Sequence, residues 1–210
     1  AAVLTRFCRY SYSGMSPMFS VSAREQGSGK GLLVDCAAII SDGRPADTMP
    51  FTGDEAEAKR EIIAILSGDD THHVALDNIA IGTKLSSAAY EAMLTGFATV
   101  GREVGTSEVK RIVMSDAVWW ATGNYLEMGP DMARRSLRMD ILDRSGNPAA
   151  RRVDEDDLRA YCQANRGNLV RAAVQGLRQF AGRILTHLRT SLIGWLTGAM
   201  SGANIYIPQA

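Results

Sequence analysis

Apolar positions along this chain switch repeatedly between short continuous runs and helical spacings. Met18-Phe19-Ser20-Val21-Ser22-Ala23 has strand character and follows a break at Pro17. Leu32, Leu33, Cys36, Ala37 and Ile40 then recur at helical spacing, predicting a helix to about Ser41, ended by Asp42-Gly43-Arg44-Pro45. Thr48 to Phe51 reads as a short strand. Ala58, Ile62, Ile63, Ile65 and Leu66 form the buried side of a second helix, which opens on Gly53-Asp54-Glu55 and stops at Gly68. His73-Val74-Ala75-Leu76-Asp77-Asn78 is a buried strand ending in an acid, and Leu85 to Leu94 a helix. Two alternating segments, 97–104 and 109–113, flank Gly105-Thr106-Ser107-Glu108 and predict a hairpin. Ala117 to Thr122 is continuously apolar, fit for the middle of a parallel sheet, and runs into Gly123-Asn124. Ser136 to Leu142 reads as a last strand, and Leu158–Ala164 and Leu169–His187 as two helices separated by Asn165-Arg166-Gly167-Asn168.

Strands alternating with helices predict an α/β fold: a mostly parallel sheet with helices on both faces and a small C-terminal helical lid. The expected division is a core at 17–150 and a lid at 151–189, with 1–16 and 190–210 unassigned. At 210 residues, 46% of them hydrophobic and 22% charged, the chain has the make-up of a soluble globular protein. Lysine plus arginine equals aspartate plus glutamate at 23 each, so bulk charge announces no nucleic-acid partner and any such contact must come from a local patch. Cys8, Cys36 and Cys162 are widely spaced and odd in number, which fits reduced cytoplasmic cysteines and neither a disulfide frame nor a zinc site. No run reaches the roughly 18 apolar residues of a membrane span. The chain begins at Ala1 without a clear signal peptide, as a fragment of something longer would.

The chemistry gathers around Gly27-Ser28-Gly29-Lys30-Gly31. A strand, a glycine-rich turn, a lysine and then a helix is the arrangement of a phosphate-binding loop. Its backbone N–H groups turn inward on an anion, the new helix points its positive end there, and Lys30, expected to face solvent, meets the outer phosphates. The G-x-x-x-x-G-K-[ST] pattern is met imperfectly, because Arg24 stands where it has glycine and Gly31 where it has a hydroxyl. Asp77, at the end of an apolar strand, fits a Walker B acid beside such a loop; an Asp-Asn pair also fits an ordinary strand-end turn. Asn124, at the tip of a central strand, is suited to orient water against a terminal phosphate. Arg134 and Arg135 are either surface residues or, in a ring, a finger offered to a neighbour's nucleotide. His72 and His73, adjacent on a strand, face opposite sides and cannot share a metal.

Taken in order, GSGKGLL, HVALDN, VWWATGN and DMARRSLRMDI resemble the AAA+ ATPase domain of phage and mobile-element primase–helicase proteins, itself similar to superfamily 3 and, more distantly, MCM-type helicases. The resemblance covers roughly 17–182 and implies a P-loop NTPase that binds ATP and Mg2+ and assembles as a homo-oligomeric ring on DNA, most simply single-stranded. It implies that Gly27, Ser28, Gly29, Lys30 and Gly31 hold the phosphates, Asp77 holds magnesium through water, Asn124 acts as sensor and Arg135 as finger. The hairpin at 97–113, with Arg102, Lys110 and Arg111, would grip DNA. Asn78 stands where many such proteins have the glutamate that polarises water, and an amide cannot act as a base. The implied function is therefore a DNA helicase or remodelling ATPase module of a replication protein, or else a module that binds nucleotide and assembles with little hydrolysis.

Overall fold

The computed structural model describes residues 1–12, 14–68, 70–96, 98–102, 109–113, 116–142 and 157–202, with the backbone alone at 98–102, 109–113, 187, 192 and 195–202. In chain order the elements are α1 (Ala2–Phe7), a 3-10 turn (Arg9–Ser11), β1 (Met18–Ala23), α2 (Lys30–Asp42), β2 (Asp47–Met49), α3 (Glu55–Leu66), β3 (His73–Ile79), β4 (Lys84–Leu85), α4 (Ala88–Met93), β5 (Ala98–Arg102), β6 (Val109–Val113), β7 (Val118–Asn124), β8 (Glu127–Met128), α5 (Pro130–Arg134), β9 (Ser136–Ile141), α6 (Leu158–Ala164) and α7 (Arg166–Gly202). The chain divides into two units. Residues 1–169 carry the sheet, and residues 170–210 carry the remainder of α7.

The main sheet has the order β2-β3-β7-β1-β9, and every neighbouring pair is parallel. Parallel strands must be joined by crossovers, and here α2 and α3 supply two of them. Successive strand residues face opposite sides, so the sheet sorts its apolar side chains into two cores. Met18, Val74, Leu76 and Trp119 meet Ile62 of α3 and Tyr90 and Met93 of α4 on one face. Phe19, Ala75, Val118 and Trp120 meet Val34 of α2 and Ala2 of α1 on the other. Burial on both sides is why β1 and β7 read as continuous apolar runs and not as alternating ones. The α/β fold with helices on both faces is as expected.

Beside this sheet, β4 and β8 form a two-stranded parallel pair, and β5 and β6 an antiparallel one with Ala98 opposite Val113 and Arg102 opposite Val109. The hairpin predicted from alternation therefore exists in the backbone. The side chains of Arg102, Lys110 and Arg111, and the turn at 103–108, lie outside the described residues.

Three helical readings differ from expectation. The helix expected at 85–94 begins only at Ala88, with Leu85 in β4. Residues 1–16, unassigned in sequence, contribute α1, which packs on α2 through Ala2 and binds Asp42 through Arg6. The break between the last two helices shrinks to Asn165, and α7 runs from Arg166 through Gly182 and Gly194 to Gly202. Gly167 lies in the first turn of α7, where backbone N–H groups lack helical partners anyway, and each later glycine costs only about 1 kcal/mol against alanine.

Candidate phosphate site at the carboxyl ends of the strands

In the sheet order, β1 leads away across β7 and β3 to β2, whereas β7 leads back across β1 to β9. The carboxyl ends of β1 and β7 are thus the point where the chain changes direction, which is where open parallel sheets bind ligands. The register sets Ala23 beside Asn124, so the glycine loop leaves β1 next to the tip of β7.

Within the loop Gly27 and Gly29 have φ of 71° and 87°. The left-handed conformation at Gly29 would cost a residue with a Cβ about 1–2 kcal/mol, which accounts for glycine there. Gly29 is also the N-cap of α2, and its carbonyl accepts the first helical bond from Leu33 N at 2.9 Å. It has no side chain to cap with, and the first turn of α2 contains no acid. By contrast α3 is capped by Asp54, α6 by Asp157 and α4 by Ser87, with Glu55 accepting from Ala88 N and Ala89 N. The positive end of α2 is thus left without an acidic side chain of its own.

Lys30 does not face solvent as expected from sequence. It is half-buried, and its Nζ donates to Asn124 Oδ1 at 2.6 Å and to Ser28 Oγ at 3.2 Å, with the Glu25 carbonyl at 3.4 Å. Burial pulls its ammonium below its ordinary value, and the Asp77 carboxylate opposes that shift. A lysine has three donors and no acceptor, and near an anion it takes whatever oxygens are in reach. Asn124 and Ser28 hold it at the mouth of the loop, beside the tip of β7.

Asp77 arrives from β3 through an irregularity. Between Leu76 and Ile79 β3 advances three residues while β7 advances only two, from Ala121 to Gly123. One extra residue is a bulge, which re-aims side chains at a strand end. Thr122 Oγ1 spans it, donating to Asp77 Oδ1 at 2.6 Å and accepting from Asn78 N at 3.0 Å. Asn78 has φ of 55°, a conformation asparagine tolerates better than most residues with a Cβ. The amide at that position therefore has a backbone reason. Gly123 closes the join, because a Cβ there would sit 2.9 Å from the carbonyl oxygen of Ile79. Sequence reading missed both Thr122 and Gly123. Both stood in the VWWATGN run on which the resemblance rests, but neither was given a role.

Lys30, Ser28, Asn124 and Asp77 are thus brought together, with Gly27 and Gly29 in the adjoining loop and Gly31 in the first turn of α2. Arg135 is not among them. Its carbonyl accepts from Met18 N at 2.9 Å, and Ser136 pairs with Met18, so it stands at the amino end of β1, five residue steps or roughly 17 Å from the loop. There Arg135 Nη1 donates to the Asp131 carbonyl at 2.9 Å, and Arg134, exposed, pairs with the Asp131 carboxylate at 3.3 Å.

The arrangement can hold an anion and, close to it, a hydrated divalent cation. Asp77 is exposed, and Gly31 gives no hydroxyl beside it. Among the described residues no cluster of three metal-ligating side chains occurs.

No family model and no curated protein matches this chain. Among solved structures it is similar to JCV helicase, in a structure with an acetamide compound bound, at a TM-score of 0.40 and 12% identity over 60% of this chain and 36% of that one. It is also similar to the C-terminal region of NrS-1 in an apo form, at a TM-score of 0.48 and 13% identity over 79% of this chain and 37% of that one. The chain spans little more than a third of the length of either. Among the described residues no helix is long and apolar enough to cross a membrane.

Proposed function

We propose that this chain is the nucleotide-binding module of a ring-forming DNA helicase or remodelling ATPase in a mobile-element replication protein of the primase–helicase kind, binding ATP with Mg2+. The observation that carries the reading is Lys30 held on Asn124 2.6 Å away, at the uncapped start of α2 and within the field of Asp77. A cation tethered there by a neutral amide is poised to exchange that partner for a phosphate oxygen. In this reading Gly27, Ser28, Gly29 and Gly31 shape the cradle, Asp77 holds the Mg2+ hydration shell, and Asn124 orients water once Lys30 has turned to the ligand. The bound cation supplies charge neutralisation on the phosphates. Arg135, at the far end of β1, is out of reach of its own loop and would serve only a neighbouring subunit. DNA would run along the β5–β6 hairpin through Arg102, Lys110 and Arg111.

A second reading, a module that binds nucleotide and assembles without appreciable turnover, is favoured by Gly31 and by Asn78. The first lacks a hydroxyl and the second is an amide in a conformation that disfavours the glutamate of an active enzyme. One experiment separates the two: ATP turnover with and without single-stranded DNA, for wild type and Lys30→Ala. Turnover that rises with DNA and vanishes in Lys30→Ala supports the ATPase. Tight ATP binding, abolished in Lys30→Ala, without turnover supports the binder. Equal ATP binding by both proteins ends the phosphate-loop reading altogether.

A further inference from the structure

On the other side of β1 from Asp77 lies a cavity of about 410 Å³, lined by Arg24, Tyr125, Arg138, Asp140, Ile141 and Leu142 among others. It sits at the carboxyl ends of β1 and β9, where Ser22 pairs with Asp140 and Ala23 with Ile141. We propose that this cavity receives the nucleoside part of the nucleotide, with the base against Tyr125 and the sugar hydroxyls at Asp140; the inference rests on the phosphate-loop reading above.

Direction is the first argument. Lys30, Asn124 and Asp77 mark the terminal-phosphate end of any triphosphate on the loop, and they belong to α2, β7 and β3. The remainder of such a ligand must leave towards the opposite side of β1, which is the β9 side. The cavity opens there, next to Arg24 at the start of the loop, and its volume falls in the ordinary range for small-ligand sites.

Its lining suits a sugar and a base. Tyr125 follows Asn124 directly, lines the cavity and is 54% exposed. Its φ of 50° is a strained conformation for tyrosine, and its N–H donates to the Ala23 carbonyl at 3.0 Å, so the backbone is fixed while the ring stays accessible. An aromatic face and guanidinium planes are what bases stack on. Arg138 and Asp140, two apart on one face of β9, are joined by Arg138 Nε to both carboxylate oxygens at 3.1 Å. That pairing orients Asp140, whose carboxylate can accept from sugar hydroxyls as an acid does in dinucleotide folds. Ile141 and Leu142 add an apolar wall.

The test compares ATP with inorganic tripolyphosphate by calorimetric titration, in wild type, Tyr125→Ala, Tyr125→Phe, Asp140→Asn and Lys30→Ala. Tripolyphosphate engages the loop alone. The expected result is that Tyr125→Ala and Asp140→Asn each weaken ATP about tenfold, the scale of one stacked base, while tripolyphosphate affinity is unchanged and Tyr125→Phe keeps ATP binding. Unchanged tripolyphosphate binding also certifies that the variants are folded. If both variants bind ATP as wild type does, or lose ATP and tripolyphosphate equally, the cavity does not hold the nucleoside, and the loop reading is untouched. If Lys30→Ala binds both ligands as wild type does, the loop reading itself fails and takes this proposal with it.

Discussion

The two ends of α2 carry two polar clusters built on the same strands, and they are finished in opposite ways. At its start, Lys30 leans on Asn124 and Ser28 at a loop mouth with Asp77 exposed nearby. At its end, Ser41 and Asp42 meet His73, where β3 begins. Trp120 Nε1 donates to His73 Nδ1 at 3.0 Å, and His73 Nε2 faces Ser41 Oγ at 2.8 Å and Asp42 Oδ2 at 3.0 Å. Arg6 of α1 closes the set, with Nε 3.0 Å from Asp42 Oδ1 and a guanidinium nitrogen 3.2 Å from Asp116. Serine, histidine and aspartate within bonding distance suggest a nucleophile only on paper. His73 is 3% exposed, its Nδ1 is occupied as an acceptor from Trp120, and Asp42 is taken by Arg6. A cluster whose charged groups are paired with one another is a clasp. One whose cation rests on a neutral amide has a partner it can give up. That difference, and not the residue types, marks one end as structural and leaves the other as the candidate site.

The largest expected effect tests the clasp. Asp42→Ala leaves the half-buried Arg6 cation without one of its acids and removes a partner of His73, a class of change that costs up to about 3–5 kcal/mol where the charge is fully buried. Urea denaturation should show that loss, while ATP binding in the folded variant stays near wild type. A loss under about 1 kcal/mol would make the clasp ornamental. Loss of ATP binding in folded protein would mean that the two ends of α2 are coupled.

Lys30→Ala is the mirror experiment at the other end. It should lower ATP affinity tenfold or more, on the scale of a charge-assisted contact of about 1.5–3 kcal/mol, without lowering the melting temperature. Its hydrogen-bond partners Asn124 and Ser28 are neutral, and the Asp77 carboxylate that feels its charge is exposed and held by Thr122, so no buried charge is orphaned. A melting temperature that falls as far as in Asp42→Ala would make Lys30 a structural residue and erase the contrast.

Acid should act on one end alone. Burial by itself would raise the Asp42 carboxyl, but hydrogen bonds from His73, Ser41 and Arg6 outweigh it and hold the group well below its ordinary 3.8. A carboxyl depressed in the folded state lends stability that is fully present above the ordinary value and lost as pH falls through the folded one. Below about pH 4, wild type should therefore lose stability faster than Asp42→Asn, so that their urea midpoints converge. Parallel lines for the two proteins would show that the depression has no weight in folding.

The sequence made the open end of α2 legible and hid the closed one, for a physical reason. The candidate loop is local: strand, glycines, lysine and helix follow one another within 18–42, and pattern reading finds that order. Asp77 and Asn124 were legible because each ends an apolar run, and parallel pairing brings such ends together. The clasp joins residues 6, 41, 42, 73, 116 and 120, which no spacing connects, and it draws on a stretch where periodicity is silent. Thr122 and the bulge at Asp77 escaped because an extra residue in one strand leaves no mark on its composition. Asn78 was legible as a departure but not in its cause, since a φ of 55° is invisible in a letter.

That cause also shapes the smallest and most informative change. Restoring glutamate at position 78 would force an unfavourable residue into a left-handed backbone, so failure there would say nothing about chemistry. Gly31 is the cleaner position, because a Cβ built on it meets nothing within 4 Å and its φ lies outside the left-handed region. Gly31→Ser should leave the fold intact or gain up to about 1 kcal/mol, since glycine inside a helix loses more freedom on folding than other residues. It also offers the hydroxyl that a magnesium shell beside Asp77 would otherwise lack. ATP affinity should then rise a fewfold with Mg2+ and stay flat when the metal is chelated. An equal rise in both conditions would trace the gain to a stiffer helix and remove Mg2+ from the argument. A fall in both would mean that the phosphate needs the bare backbone at Gly31, and that the missing hydroxyl is a feature of this loop and not a defect in it.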